Sequence, residues 1–194
     1  VTNIINISKQ VAIMAILSVG MTFVLLTGGI ELSMGSVVSL VVVTISMFVT
    51  ILGWPISLAI LASIAIATAI GLLNGIIIAK VKVPPLIMTL GMQIFLYGFT
   101  YTLCGGTPVY GIPNSLKWVG QTYIFGFLPV SALIMIIIIL IGYFVLSKTY
   151  LGRYFYAIGS NEETANLSGI NSDRIRIMAY TCCGFLVGIA GVVM

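Results

Sequence analysis

The chain has 194 residues, of which 60% are hydrophobic and 6% charged, with a formal net charge of +4 and a mean hydropathy of +1.25. A soluble domain carries about a quarter charged residues, so this chain cannot cover itself with a solvated surface. It contains no histidine, which excludes His-dependent triads and His metal sites, and its basic residues form no stripe of the kind a nucleic-acid partner needs.

Charge-free runs extend over 10–30, 32–79, 83–116, 118–147 and 177–194. Roughly 20 mostly apolar residues cross about 30 Å of hydrocarbon, so these runs hold about six spans, at 10–28, 34–52, 57–79, 86–104, 127–147 and 177–194. Backbone groups in lipid must satisfy one another, which leaves helices or a closed barrel. Stretches such as 133–141 are apolar on every side and show no strand alternation, which selects helices. The fold class is therefore all-α, a polytopic transmembrane helical bundle. The first run lacks the basic start and cleavage site of a signal peptide. Because the chain opens at Val1 and stops at Met194 inside an apolar run, we expect one membrane domain over 1–194, cut at the C-terminus and also at the N-terminus.

In chain order, Gly28-Gly29 is expected to end the first helix. The polar stretch Thr27, Gly28, Gly29, Glu31, Ser33, Gly35 and Ser36 then interrupts two apolar spans. A carboxylate at the bilayer centre costs on the order of 2.5–3.5 kcal/mol on insertion scales, so Glu31 belongs near an interface or in a polar cavity. Two readings follow for the stretch. In one it is helix-end chemistry, with Ser33 or Glu31 capping the next helix; in the other it is a broken-helix segment lining a solute path. Gly53-Trp54-Pro55 reads as a turn, and Pro84-Pro85 stops a helix from running through its junction. The pairs Gly71/Gly75 and Gly184/Gly188 are small-xxx-small signals for close helix packing. Cys104, Cys182 and Cys183 lie in or beside apolar runs with no Cys-x-x-Cys spacing and read as small buried side chains.

The 105–126 connection carries Trp118, Tyr123 and Phe125, suited to interfacial anchoring or to docking a partner. The 148–176 connection is polar. Ser160 and Glu163 fit a capping box, Gly169 is placed to end a helix of about two turns, and Ala165, Leu167 and Ile170 would offer a small apolar surface. A short capped helix between two spans reads as a docking knob for a soluble partner. With alternating spans, Lys80, Lys82, Lys148, Arg153, Arg174 and Arg176 share one side while Lys9 and Lys117 share the other, so the positive-inside rule puts 148–176 in the cytoplasm. No phosphate loop is present: the nearest match, Gly142 to Thr149, has Ser147 in place of the second glycine.

The stretches Gly20-Met21-Thr22, Leu26 to Ser36, Leu151-Gly152-Arg153-Tyr154, Tyr156-Ala157-Ile158-Gly159, Asn161-Glu162-Glu163 and Leu167 to Asn171 resemble, in order and spacing, the ribose-type sugar permeases of bacterial ABC importers. That family belongs to the branched-chain amino acid/sugar permease superfamily. The resemblance runs from about residue 3 to 194, roughly two-thirds of one subunit. It implies a multi-pass protein of the bacterial inner membrane, a second permease subunit, cytoplasmic ABC ATPases that bind ATP and Mg, and an extracytoplasmic solute-binding protein. It implies no cofactor and no ATP hydrolysis in this chain. The ATPase-coupling segment would be Asn161, Glu162, Glu163, Thr164, Ala165, Leu167, Ser168, Gly169 and Ile170. There the family's Glu-Ala-Ala, three residues, Gly pattern maps to Glu163, Thr164, Ala165 and Gly169, with Thr164 replacing an alanine. The family usually has Asp where this chain has Glu31. Pentose, hexose, polyol, signalling sugar derivative and nucleoside all remain open as the solute. An ion-coupled secondary carrier is the alternative, with Glu31 as its one proton-binding candidate.

Overall fold

The computed structural model describes residues 2–107, 123–124 and 128–194. Helix α1 (Thr2–Leu26) leads to α2 (Met34–Thr50) and then α3 (Ile56–Ile76), which continues as a π turn over Ile77–Val81. Helix α4 (Pro85–Leu103) follows, then short strands β1 (Tyr123–Ile124) and β2 (Leu128–Pro129), and α5 (Val130–Lys148). The chain closes with α6 (Tyr150–Ser160), α7 (Glu162–Leu167) and α8 (Ser172–Val193). The fold is all-α; among the described residues, the antiparallel ladder pairing Tyr123 with Pro129 and Ile124 with Leu128 is the one departure. Lys117, Trp118 and Phe125, and the side chain of Tyr123, lie outside the described residues.

Local chemistry sets the breaks. Gly28 adopts φ +74°, and the amides of Gly28 and Gly29 return to the carbonyls of Leu25 and Val24. This Schellman closure ends α1 where the glycine pair was expected to end it. Gly53 turns the chain at φ +64°, and Trp54 stacks on Phe48 at 4.8 Å with its amide on the Phe48 carbonyl. The π turn ends at Lys82, a non-glycine residue at φ +62°, and Pro85 opens α4, where a missing N–H costs nothing. Helix α8 starts at Ser172, five residues before the expected 177, because the Asn171 side chain accepts the Arg174 amide and Asp173 suits the first turn.

Five helices are long and apolar enough to cross a membrane: Ile7–Leu26 of α1, α3 with its π turn, α4, α5 and α8. The expected sixth span, α2, has 17 residues, about 25 Å at the helical rise. It is short because it begins only after the irregular 27–33 segment has re-entered the bundle. Large apolar side chains such as Ile87, Ile94, Phe95, Leu140, Ile141 and Phe144 point outward, which suits a lipid surround and not water.

The centre of the bundle is α8, with 56% of its apolar window buried against 17–28% in the other four spans. It packs on α1, α2 and α3. Contacts fix the directions: Gly75 meets Ile177 while Gly188 meets Ile64, so α3 and α8 are antiparallel. Met34 meets Cys183 and Val41 meets Gly191, so α2 and α8 run parallel. The two glycine pairs face each other. A Cβ on Gly184 would sit 2.6 Å from the Ala67 carbonyl oxygen and 3.0 Å from the Gly71 Cα, so the backbones touch as the small-xxx-small pattern requires. The three cysteines are free, Cys183 buried and the others partly so.

Candidate functional site

Between Leu26 and Met34 the chain is irregular and alternates in burial: Thr27, Gly29, Glu31 and Ser33 are buried, Gly28, Ile30 and Leu32 exposed. The Thr27 hydroxyl closes back on the Val24 carbonyl at 2.8 Å. Gly29 lies so close to Tyr180 that an added Cβ would stand 2.5 Å from its hydroxyl. The Ile30 carbonyl accepts two hydroxyls, Tyr180 Oη from α8 at 3.2 Å and Thr89 Oγ1 from α4 at 3.3 Å. Two helices thus hold one peptide unit of the break.

Glu31 is 4% exposed. Its Oε1 accepts the Ser33 amide at 2.8 Å and the Ser33 hydroxyl at 2.5 Å, and its Oε2 accepts Asn74 Nδ2 from α3 at 2.9 Å. The carboxylate stands at the start of α2, where the helix dipole favours negative charge. It takes a capping place there, while the Ser33 hydroxyl bonds Glu31 in place of a helix amide. Ser36, one turn on, donates to the Gln93 carbonyl of α4 at 3.0 Å, and Gly35 is exposed with nothing near its α-carbon. The structure therefore brings together Glu31 and Ser33 of the expected stretch and sends Thr27, Gly28, Gly35 and Ser36 elsewhere. Asn74, Thr89 and Tyr180 complete the cluster and were not singled out from the sequence. Asn74 did carry a signal: it is the one amide side chain inside the apolar run 57–79.

The second region joins α5 to α8. Tyr150, at the start of α6, follows α5 after a single residue, and Gly159 near the end of α6 lies against the Leu26 carbonyl of α1. Phe155 packs on Phe23 with ring centroids 5.8 Å apart. Helix α7 is capped by Asn161, whose Oδ1 accepts the Thr164 amide at 2.9 Å. The expected capping box on Ser160 and Glu163 does not form, because Ser160 still belongs to α6. Gly169, at φ +84°, ends α7 as expected, with the Ile170 amide on the Ala165 carbonyl.

Ala165, Leu167 and Ile170 do not share a surface. Ala165 faces the core at 4% exposure, Ile170 packs partly beneath, and Leu167 stands out at 85%. A six-residue helix places these positions on different sides, which the sequence spacing alone did not resolve. Glu163, Thr164, Asn166, Ser168 and Gly169 are exposed around Leu167. Glu162 fastens α7 to α8 through Arg176 at 2.8 Å, and Asn166 Oδ1 accepts the Ser172 hydroxyl at 2.6 Å. Asp173 takes Lys82 at 2.7 Å and Lys80 at 3.3 Å. A cleft of about 400 Å³ opens between Lys82, Asp173 and the Glu162–Ile170 side of α7. The basic residues Lys80, Lys82, Arg174 and Arg176 thus gather at the end of the bundle that carries α7.

The chain is 39% identical over 199 residues to the ribose import permease protein RbsC of Escherichia coli K12, covering 100% of this chain and 61% of that protein. It is 37% identical over 194 residues to RbsC of Bacillus subtilis, with 99% and 60% covered. It is 34% identical over 193 residues to the fructose import permease protein FrcC of Rhizobium meliloti, with 95% and 53% covered. The chain thus spans about three-fifths of the length of the ribose permeases it matches. No solved structure matches it. The family model described as branched-chain amino acid transport system, permease component, matches residues 3–194, and this multi-pass membrane chain belongs to that family.

Proposed function

We propose that the complete protein is the membrane-spanning subunit of an ATP-driven importer that carries a sugar or sugar-like solute into a bacterial cell. In this reading a second permease subunit completes the pathway, an extracytoplasmic binding protein delivers the solute, and a separate cytoplasmic ABC ATPase holds ATP and Mg. The observation that carries the reading is α7. It is a six-residue helix, fixed by an Asn161 cap, a Gly169 stop and the Glu162–Arg176 pair, that presents a bare Leu167. A protruding apolar side chain on so rigid a support is suited to seating in a partner's groove. The basic residues clustered at that end support a cytoplasmic position for 148–176. The ribose and fructose named for the relatives support a sugar as the solute. The broken segment, with Gly28, Ile30, Leu32 and Gly35 exposed along one edge, is the part we assign to the solute pathway.

The test uses the complete transporter in proteoliposomes. Leu167→Asp should leave insertion and subunit content intact but abolish ATP-dependent uptake and solute-stimulated ATP hydrolysis. Wild-type uptake in a correctly inserted Leu167→Asp transporter would overturn the docking role. The buried Glu31 favours a second reading, an ion-coupled carrier. Uptake sustained by an ion gradient with no ATP or ATPase present would select it.

A further inference from the structure

We propose that Glu31, Ser33 and Asn74 form a buried site for one small monovalent cation at the start of α2. Three observations converge there. First, Glu31 carries a carboxylate at 4% exposure, and no Lys or Arg lines its surroundings. The titratable groups that face it are Tyr180 and Cys183 of α8, both neutral near pH 7. The nearest basic residue along α8, Arg176, is engaged with Glu162. The hydrogen bonds from Ser33 and Asn74 solvate the carboxylate but supply no positive charge, and a buried charge without a counter-charge is strongly disfavoured.

Second, Asn74 is fully buried, and its Oδ1 has no hydrogen-bond partner. Its amide cannot be turned over to cure this, because Nδ2 is the group that donates to Glu31 Oε2; reversing it would set two acceptors face to face. The orphan is therefore an acceptor beside a carboxylate, and both call for the same thing, a positive or proton-rich species between them.

Third, a void of about 10 Å³ lies where such a species belongs, lined by Glu31, Ser33, Asn74, Gly71 and Gly184 among others. It has the size of one water molecule. The ligand atoms are a carboxylate, an amide oxygen and a hydroxyl, a hard oxygen set. One carboxylate matches a single positive charge, and the space excludes the hydration shell that a divalent ion such as Mg retains. Sodium and the hydronium ion fit; potassium is too large.

The site goes beyond the transport reading and does not depend on it, since binding needs neither ATP nor solute. Radioactive sodium binding and thermal unfolding are measured on the purified complete transporter without nucleotide. Saturable sodium binding, competed by unlabelled sodium but not by potassium or choline, is expected, with Tm rising as sodium is added at constant ionic strength. Glu31→Gln, which removes the charge at nearly constant shape, should abolish both. If the cation is hydronium, sodium has no effect, Tm rises as pH falls, and Glu31→Gln removes that dependence. The proposal is overturned if wild type shows neither dependence, or if Glu31→Gln retains whichever one wild type shows. Should Glu31→Gln fail to assemble, Asn74→Ala decides. It keeps the carboxylate and removes the second oxygen, so at least a tenfold loss of sodium affinity, or an equivalent one-unit acid shift of the Tm profile, is expected. No change in Asn74→Ala overturns the site.

Discussion

Adding one methyl group to Gly184 tests the packing on which both functional regions depend. The new Cβ would lie 2.6 Å from the Ala67 carbonyl oxygen and 3.0 Å from the Gly71 Cα. These are backbone atoms of α3, which no side-chain rotation can move aside. An ordinary Cβ contact needs 3.4 Å or more, so α3 and α8 must separate by several tenths of an ångström along their tightest contact. Overpacking of this kind costs about 1–3 kcal/mol. Gly71→Ala should cost a similar amount, because its Cβ meets the Tyr180 carbonyl and the Gly184 backbone. The double variant is the sharper measurement. Once the helices have parted for one methyl, the second enters space already made, so the pair should fall short of additivity by about 1 kcal/mol or more. Denaturant unfolding of the complete transporter, with a double-mutant cycle, reads this directly. Singles within about 0.5 kcal/mol of wild type, or a strictly additive pair, would refute the close approach of α3 and α8.

Three further outcomes follow from named contacts. Tyr180→Phe and Thr89→Val each leave the Ile30 carbonyl one hydroxyl donor and should cost about 0.5–1.5 kcal/mol; the double variant orphans that carbonyl and should exceed their sum, read by the same unfolding cycle. Asn161→Ala removes the α7 cap, about 1 kcal/mol locally, so amide exchange across 162–167 should speed up while that of α8 stays unchanged. Lys80 and Lys82 share Asp173 on an exposed surface. Either lysine alone should therefore be replaceable by alanine within about 0.5 kcal/mol, whereas Asp173→Asn should remove most of the dependence of Tm on salt at this end.

The spans were legible because lipid leaves so few solutions for the backbone that charge-free length alone nearly determines them. The terminators Gly28, Gly53, Gly169 and Pro85 were legible because each acts through local geometry. Glu31 stood out as an acid in an apolar setting. Its partners did not, because Asn74 and Tyr180 reach it from 43 and about 150 positions away, through a packing that only the opposed glycine pairs establish. The cap of α7 slipped by one residue, from Ser160 to Asn161, because two helices meet end to end there and both residues have capping chemistry. The mistaken apolar face of α7 has a similar origin: in so short a helix, the neighbouring element and not periodicity decides which side is covered.

One consequence attaches to α8 being unbroken from Ser172 to Val193. Arg176 grips α7, Tyr180 grips Ile30, and Gly184 bears on α3, at intervals of four residues or about 6 Å along the same rod. A push on α7 that rocks the rod about the Gly184 fulcrum moves Tyr180 by half the displacement of Arg176 and in the same direction. Movement at the membrane's edge is thereby geared down, not amplified, before it reaches the irregular segment, which suits a seal that has to shift by a fraction of an ångström to break two hydroxyl contacts.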